Sequence, residues 1–315
     1  MSSAGPAAPS SDAGRLRAMR PALERRARVL RALREVFQEK GFWEVETPVR
    51  LAAPAQELHV DAEPAGGMYL RASPELHMKR LLAAGYSRIY QIGPCFRRGE
   101  RGALHHPEYT MLEWYRTGAD YRDALQDTKQ LIRAADRAVR EVPSRSDTES
   151  CPVDVSLPWI EFTVREVFER WAGWNPVDDW DPDRFDIDLV QCVEPHLPRD
   201  RAVVLRDYPA PAAALARLSP DQPDVAERWE LYMNGVEIAN AYSELTDPAE
   251  QRHRFEACAA ERAAADRPAY PLDEAFLAAL ESGMPPSAGV ALGLDRLVLV
   301  LSGAHSLDEV IAFRD

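Results

Sequence analysis

The chain has 315 residues, 46% hydrophobic and 28% charged, with a formal net charge of -13. That composition gives a globular protein with a real core, in one large domain or two small ones, and lacks the basic field of a protein that relies on broad contact with a nucleic-acid backbone, although net charge leaves a local tRNA contact open. No apolar run reaches membrane-spanning length, and the scattered Cys95, Cys151, Cys192 and Cys258 form no C-x-x-C pair, which argues against a zinc site or a disulfide framework and for a reducing cytoplasm.

The small, polar start, residues 1–20, reads as a disordered tail, and residues 21–315 as one folded domain. Leu23, Ala27, Leu30, Val36 and Phe37 recur near helical spacing, and Lys40-Gly41 ends that helix. "FWEVETPV" follows as a strand stopped at Pro48. "MYLRASPELHMKRLLAAG" predicts a strand, then a helix with Ser73 at the N-cap, Pro74 at its first position and Gly85 beyond its end. "SRIYQIGPCF" and "EYTMLEWYRT" are strands joined by a Gly- and Arg-containing loop, which suggests an antiparallel pair.

A helix near Tyr121–Arg140 precedes a polar insert, "EVPSRSDTESCP". Thr163 and Glu166 form a capping box, and the Asp- and Pro-rich stretch from Trp174 to Asp188 reads as a surface excursion. "RAVVLRDYP" is a strand, and "RWELYMNGVEIANAYSELTD" a hairpin turning at Asn234-Gly235. A helix starts at Asp247-Pro248 and runs to about Asp266, and "SAGVALGLDRLVLVLSG" is a Gly-spaced strand entering an apolar helix. Hairpin-linked strands with helices between and outside them indicate an α+β fold with a largely antiparallel sheet.

Four segments concentrate reactive side chains. In "HHPEYTMLEWYR", strand periodicity puts Tyr109, Met111, Glu113 and Tyr115 on one face. A carboxylate buried there needs a cationic partner. "SPELHMKR" sets Glu75 in a first helical turn, where dipole compensation alone would explain it. Arg97 offers a permanently charged planar fork for phosphate or carboxylate, or for a structural salt bridge. In "GVEIANAYSELTD", Asn240, Tyr242 and Glu244 share a face, whereas Glu237 has the opposite parity. Glu237 and Glu244 suit Mg²⁺, but joining them at one ion requires a bulge or bend. "GVALGLDRL" has Gly289 and Gly293 for close backbone approach and Asp295-Arg296 at a helix start, without the signature of a P-loop or dinucleotide fold. Together these suit a reaction that gathers an amine-bearing acid and a nucleoside triphosphate, with a substrate amine as the missing cation.

"FRRGERGALHHPEYTMLEWY", "NGVEIANAYSELTDPAEQRHRF" and "GVALGLDRLVLV" resemble motif 2, the metal-binding segment and motif 3 of class II lysyl-tRNA synthetases, and "GFWEVETPV" looks like the end of motif 1. The likeness runs from about Leu23 to Phe313 and leaves no room upstream for an anticodon-reading OB-fold domain. "SPELHMKRLLAAG" and the ending "LDEVIAF" look most like the elongation factor P lysine ligase family, a freestanding paralogue of that catalytic domain. The resemblance implies a class II synthetase-like domain that activates lysine or (R)-β-lysine with ATP and Mg²⁺ and transfers it to a lysine of elongation factor P. It also implies a homodimer built through motif 1, without anticodon-dependent tRNA binding. By motif position, Arg97 and Arg296 would be the catalytic cations. Arg98, Gly99, Glu100, His106, Tyr109, Glu237, Ile238 and Gly293 would complete the ATP site, with Tyr109 and Arg296 on either face of adenine. Glu237 and Glu244 would hold the metal. Ser73, Pro74, Glu75, Glu113, Tyr115, Asn240, Tyr242, Glu244 and Ala291 would line the amino-acid pocket.

Three positions depart from the family pattern: the motif 2 glutamate falls one place late as Glu100, His106 replaces the usual Asn, and Ala291 replaces a glycine. The Ala291 methyl is expected to disfavour α-lysine relative to its β-isomer. Two other readings stay open at this level. One is a truncated synthetase that charges tRNA or releases free adenylate, and the other is a catalytically silent paralogue that senses amino acids.

Overall fold

The computed structural model describes residues 12–142 and 151–314. It opens with α1 (Asp12–Ala18) and α2 (Arg20–Glu39). The expected disordered tail is therefore helical over its last part; residues 1–11 lie outside the described residues. Arg15 explains the ordering, since it bonds Asp12 at 2.9 Å and the Ala312 carbonyl at 2.8 Å, pinning this turn to the far end of the chain. In α2, Val29, Leu33 and Phe37 make the buried stripe. Strand β1 (Trp43–Glu44) is shorter than its sequence suggests. Past it the chain leaves the sheet, and the Thr47 amide bonds the Gln91 side chain at 3.0 Å instead.

Three short strands, β2 (Arg50–Leu51), β3 (Pro64–Ala65) and β4 (Met68–Leu70), make a small separate sheet. Then come α3 (Glu75–Ala83), β5 (Arg88–Phe96), β6 (Glu108–Thr117) and α4 (Tyr121–Arg140). Most of the polar insert lies outside the described residues. After it come β7 (Ile160–Thr163), α5 (Val164–Trp171) with the expected Thr163–Glu166 capping box, and α6 (Pro182–Asp188). The stretch from Trp174 to Asp188 is thus packed structure: Asp181 caps α6, and Phe185 stacks on Phe168 at 4.8 Å. The chain closes through β8 (Ala202–Pro209), β9 (Val225–Met233), β10 (Val236–Ser243), α7 (Pro248–Ala264), α8 (Glu274–Glu281), β11 (Ser287–Gly293) and α9 (Leu294–Leu301).

The main sheet has eight strands in the order β1-β5-β6-β11-β10-β9-β8-β7. Its interior pairs are antiparallel, and only the edge pairs β1·β5 and β7·β8 are parallel. One face carries Leu112, Trp114, Val290, Leu292, Ala241 and Trp229, which form the main core with α2, α4 and α9. Alternation along the strands then turns every second residue of β6, β10 and β11 to the opposite face. That face holds the polar groups.

Candidate active site

Strand register decides which of them meet. Glu113 on β6 lies opposite Gln91 on β5 and Ala291 on β11; Ala291 lies opposite Asn240 on β10, and Asn240 opposite Glu230 on β9. The adjacent row runs Ile89, Tyr115, Gly289, Tyr242, Arg228. Directly paired residues share a face, so long side chains flank a central strand that offers only glycine and alanine. β11 is the floor of a trough. A methyl at Gly289 would overlap both the Tyr115 ring and the Glu244 carboxylate, which is why glycine is needed there.

The hairpin before β10 turns at Asn234 and Gly235, both with positive φ. Glu237 then pairs with Tyr232 but Ala239 with Leu231, so Ile238 is one residue in excess. This bulge reverses the parity of everything before it and puts Glu237 on the same face as Asn240.

At one end of the trough lies a buried acidic cluster, the candidate amino-acid pocket. Ser73 accepts from the Glu75 amide at 2.9 Å, as a helix cap does, and donates to Glu113 at 2.6 Å; Tyr115 donates to the other Glu113 oxygen at 3.0 Å. The helix itself begins at Glu75 with Pro74 in the cap position, one residue later than expected. Burial, then Glu75, pushes the Glu113 carboxyl up to about 8. Burial likewise lifts Glu244 to about 7, with Lys79 opposing and Glu75 adding to the rise. Part of the cation that sequence reading assigned to substrate is the protein's own. Lys79, wholly buried, sits 2.6 Å from Glu75 and 2.5 Å from Glu244. Its signal was the helical i, i+4 spacing from Glu75. Glu244 Oε1 has no hydrogen-bond donor among the described residues.

Beside this pocket opens a cleft of about 140 Å³, whose lining includes Arg97, Glu100, Tyr109, Glu237, Ala291 and Arg296. Burial acts against the Arg97 charge, but Tyr109, Glu57, Glu100 and Glu237 outweigh it and hold its pKa above the ordinary guanidinium value. The guanidinium lies 5.5 Å from the Tyr109 ring centre and 3.8 Å from Glu100, which the positive φ of Gly99 brings round despite its shifted place in the sequence. The Tyr109 hydroxyl donates to the Ala72 carbonyl at 2.7 Å. Arg296 donates to the Leu104 and Glu237 carbonyls, to the Glu237 carboxylate at 3.3 Å and to His105 at 2.6 Å. Burial, then Arg296, pushes the His105 pKa down, leaving a neutral ring that can accept this bond. Asp295 bonds Arg26 of α2 at 2.5 Å and the Thr110 amide at 2.7 Å, tying α2, β6 and α9 together beside the cleft.

Several expected positions need correction. Glu237 and Glu244 do not meet, because seven steps along the strand separate them by roughly 20 Å. Glu244 faces Lys79, whereas the electrostatic neighbours of Glu237 are Glu230, Arg296, Arg97 and Arg228. Burial, then Glu230, raises the Glu237 pKa. Glu230 was missed in the sequence because only the bulge brings it level with Asn240; its oxygens accept from Arg228 at 2.6 Å and Tyr232 at 2.8 Å. Arg98 is exposed and does not line the cleft; its amide bonds the Asp61 carbonyl at 2.8 Å. His106 meets the Glu108 carbonyl through Nδ1 at 2.6 Å, so in the tautomer that donates there its buried Nε2 is left to accept, not donate. Ile238 is buried beside Gly293, and Asn240 donates to the Tyr242 hydroxyl at 2.8 Å. A wider open groove of about 600 Å³, between α3 and α8, carries none of these groups.

A mainly antiparallel sheet with arginines over a glycine-floored trough is the architecture of a class II synthetase catalytic domain. Residues 10–315 match the family of class II tRNA synthetases (D, K and N), and the chain belongs to it. Within that family several similar proteins are named as ligases. A protein of Edwardsiella ictaluri (strain 93-146) named "Elongation factor P--(R)-beta-lysine ligase" is 42% identical over 306 residues, spanning 92% of this chain and 94% of its own. Proteins of the same name from Klebsiella pneumoniae (strain 342) and Vibrio cholerae serotype O1 are 39% and 37% identical over 315 and 312 residues, with 93% and 92% of this chain and 94% of each relative covered.

Proposed function

We propose that this protein activates a lysine-like diamino acid, (R)-β-lysine in preference to α-lysine, with ATP and transfers it to a lysine side chain of elongation factor P. The single observation that carries this reading is the join between two unlike sites. A buried cluster of Glu75, Glu113 and Glu244, suited to ammonium groups, meets an arginine-lined cleft across one small residue, Ala291.

An amino-acid carboxylate attacks a polyanion poorly unless fixed cations screen the charge and align the reacting atoms. Arg97 serves the α-phosphate and the substrate carboxylate, Arg296 the γ-phosphate, and Tyr109 the adenine ring. A carboxylate oxygen bonds to the α-phosphorus and pyrophosphate leaves. The neutral ε-amine of the acceptor then bonds to the carbonyl carbon, AMP leaves, and the amine proton passes to solvent. Ser73 to Glu75, Glu113, Tyr115, Asn240 and Glu244 orient the diamino acid.

Magnesium keeps water and phosphate ligands and needs only one or two protein carboxylates. Glu237 fits that role, with Glu230 as its neighbour, because its carboxylate lines the cleft among the phosphate-facing arginines; Glu244, paired with Lys79, does not. No three His, Cys, Asp or Glu side chains among the described residues cluster as a metal cage. When bound, the ion supplies charge screening for the triphosphate.

Trp43, 66% exposed on the edge strand and in edge contact with Tyr86, supports a homodimer through this motif 1 segment. Four unpaired cysteines suit a cytoplasmic enzyme. No described helix is long and apolar enough to cross a membrane.

Mass spectrometry of elongation factor P, incubated with this protein, ATP and each lysine isomer, tests the reading. One lysyl mass is added, most readily from (R)-β-lysine. An unmodified acceptor alongside efficient charging of tRNA would overturn it.

A further inference from the structure

We infer that Lys79 is a positioning residue for diamino-acid activation: a built-in counter-ion that holds the Glu75 and Glu244 carboxylates side by side, favours the charged form of Glu244 and leaves the cluster net negative for substrate. The inference rests on the proposed function and deepens it. Lys79 has no access to solvent, and its ammonium joins the first turn of α3 to the end of β10 through Glu75 and Glu244. Burying an ammonium costs several kcal/mol unless good partners meet it, so such a group persists only where it is paired.

The pairing is also incomplete in a useful way. Of three neighbouring carboxylates, Glu75 and Glu244 share one ammonium and Glu113 has none, and a diamino acid brings two more. Lys79 takes one oxygen of Glu75 and Glu244 Oε2. Glu244 Oε1 is left beside the Tyr115 ring and the Gly289 backbone, buried and without a donor among the described residues. That oxygen is where a substrate ammonium can be received.

The other titratable neighbours are mostly acidic or phenolic. Glu57, on the loop between β2 and β3, feels the Glu75 charge, and β6 contributes Glu113 and Tyr115. Around them β10 adds Tyr242, while the facing part of β11 offers only Ser287, Ala288 and Gly289. Without the Lys79 charge, Glu75 and Glu244 repel each other in a dry site and one takes a proton. Glu244, lifted to about 7 by burial even with Lys79 opposing, then rises further, is largely neutral at pH 7 and attracts the substrate less.

Lys79→Met separates this role from simple packing. In pyrophosphate exchange its KM for the diamino acid, relative to wild type, rises about fivefold or more at pH 7, the effect of raising a pKa near 7 by one unit. The ratio narrows as the pH is raised to about 9 and Glu244 ionises, while KM for ATP stays put. A ratio independent of pH, or an equal change in KM for ATP, would show that Lys79 only packs.

Glu75→Gln is the second variant, in case the first does not fold. It removes the repulsion and leaves Lys79 to Glu244 alone, so the acid limb of 1/KM moves to lower pH; an unmoved limb, or one moved to higher pH, overturns the inference. Wild-type enzyme in the same assay keeps the two claims apart. If it activates no lysine isomer, the function falls and the inference with it; if it does and the variants show no pH signature, only Lys79 loses its role.

Discussion

Glu113 shows how a single side chain links the site to stability. Its folded pKa of about 8 lies above the ordinary carboxyl value, so between pH 4.5 and about 8 the folded state binds more protons than the unfolded chain. Stability from this group is greatest below the unfolded pKa and is lost as the pH rises through the folded one. The thermal midpoint of the ligand-free protein should therefore fall from pH 5 to pH 8, and Glu113→Gln should flatten that part of the slope in a calorimetric series. Ala291 is the second informative residue, standing between Glu113 and Asn240 on the trough floor. Ala291→Gly should move the ratio of kcat/KM for β-lysine to that for α-lysine toward α-lysine by about tenfold, the worth of one methyl group in a specificity pocket. Pyrophosphate exchange with both isomers measures it, and an unchanged ratio would remove Ala291 as a determinant. Both residues stood out in the sequence as polar or small positions in apolar strands. Lys79 did not, because lysine on a helix usually faces water.

At the scale of elements, the bulge at Ile238 does what neither flanking strand could do alone. It lets one strand send Glu237 to the arginine cleft and Glu244 to the acidic pocket on the same face. The parity conflict was legible in the sequence, but where the two carboxylates would point was not, since a bulge depends on its partner strand. A second element is the loop between β2 and β3, whose Glu57 is an electrostatic neighbour of Arg97 and which α7 holds down through Arg262. That side chain is fully buried and donates to the Pro268, Glu57, Leu58 and Val60 carbonyls and to Asp61, with its charge 4.6 Å from the Tyr270 ring centre. Arg262→Ala would strip these acceptors of their donor at a cost on the order of 3 kcal/mol. A lowered thermal midpoint and faster amide exchange across residues 57–62 are expected; unchanged exchange there would show that the loop is held otherwise.

For the whole molecule, the sheet divides the labour: one face packs on α2, α4 and α9 and the other carries chemistry, while the edge strand β1 leaves Trp43 open. A homodimer built on that edge should dissociate in Trp43→Glu, seen as a halved mass in sedimentation equilibrium, with the wild type dimeric; a monomeric wild type would end that reading. The sequence by itself determined most of the strand and helix pattern, the α+β class and most of the residues that gather at the site. Alternation and capping act between near neighbours, and the four reactive segments stood out by composition. Only the tertiary structure decided which charges meet. It separated Glu244 from Glu237, brought Glu230 level with Asn240, and set Lys79 between two carboxylates. Those pairings depend on strand register and on burial, which raises the energy of an unpaired charge until some partner, near or distant in the chain, is folded against it.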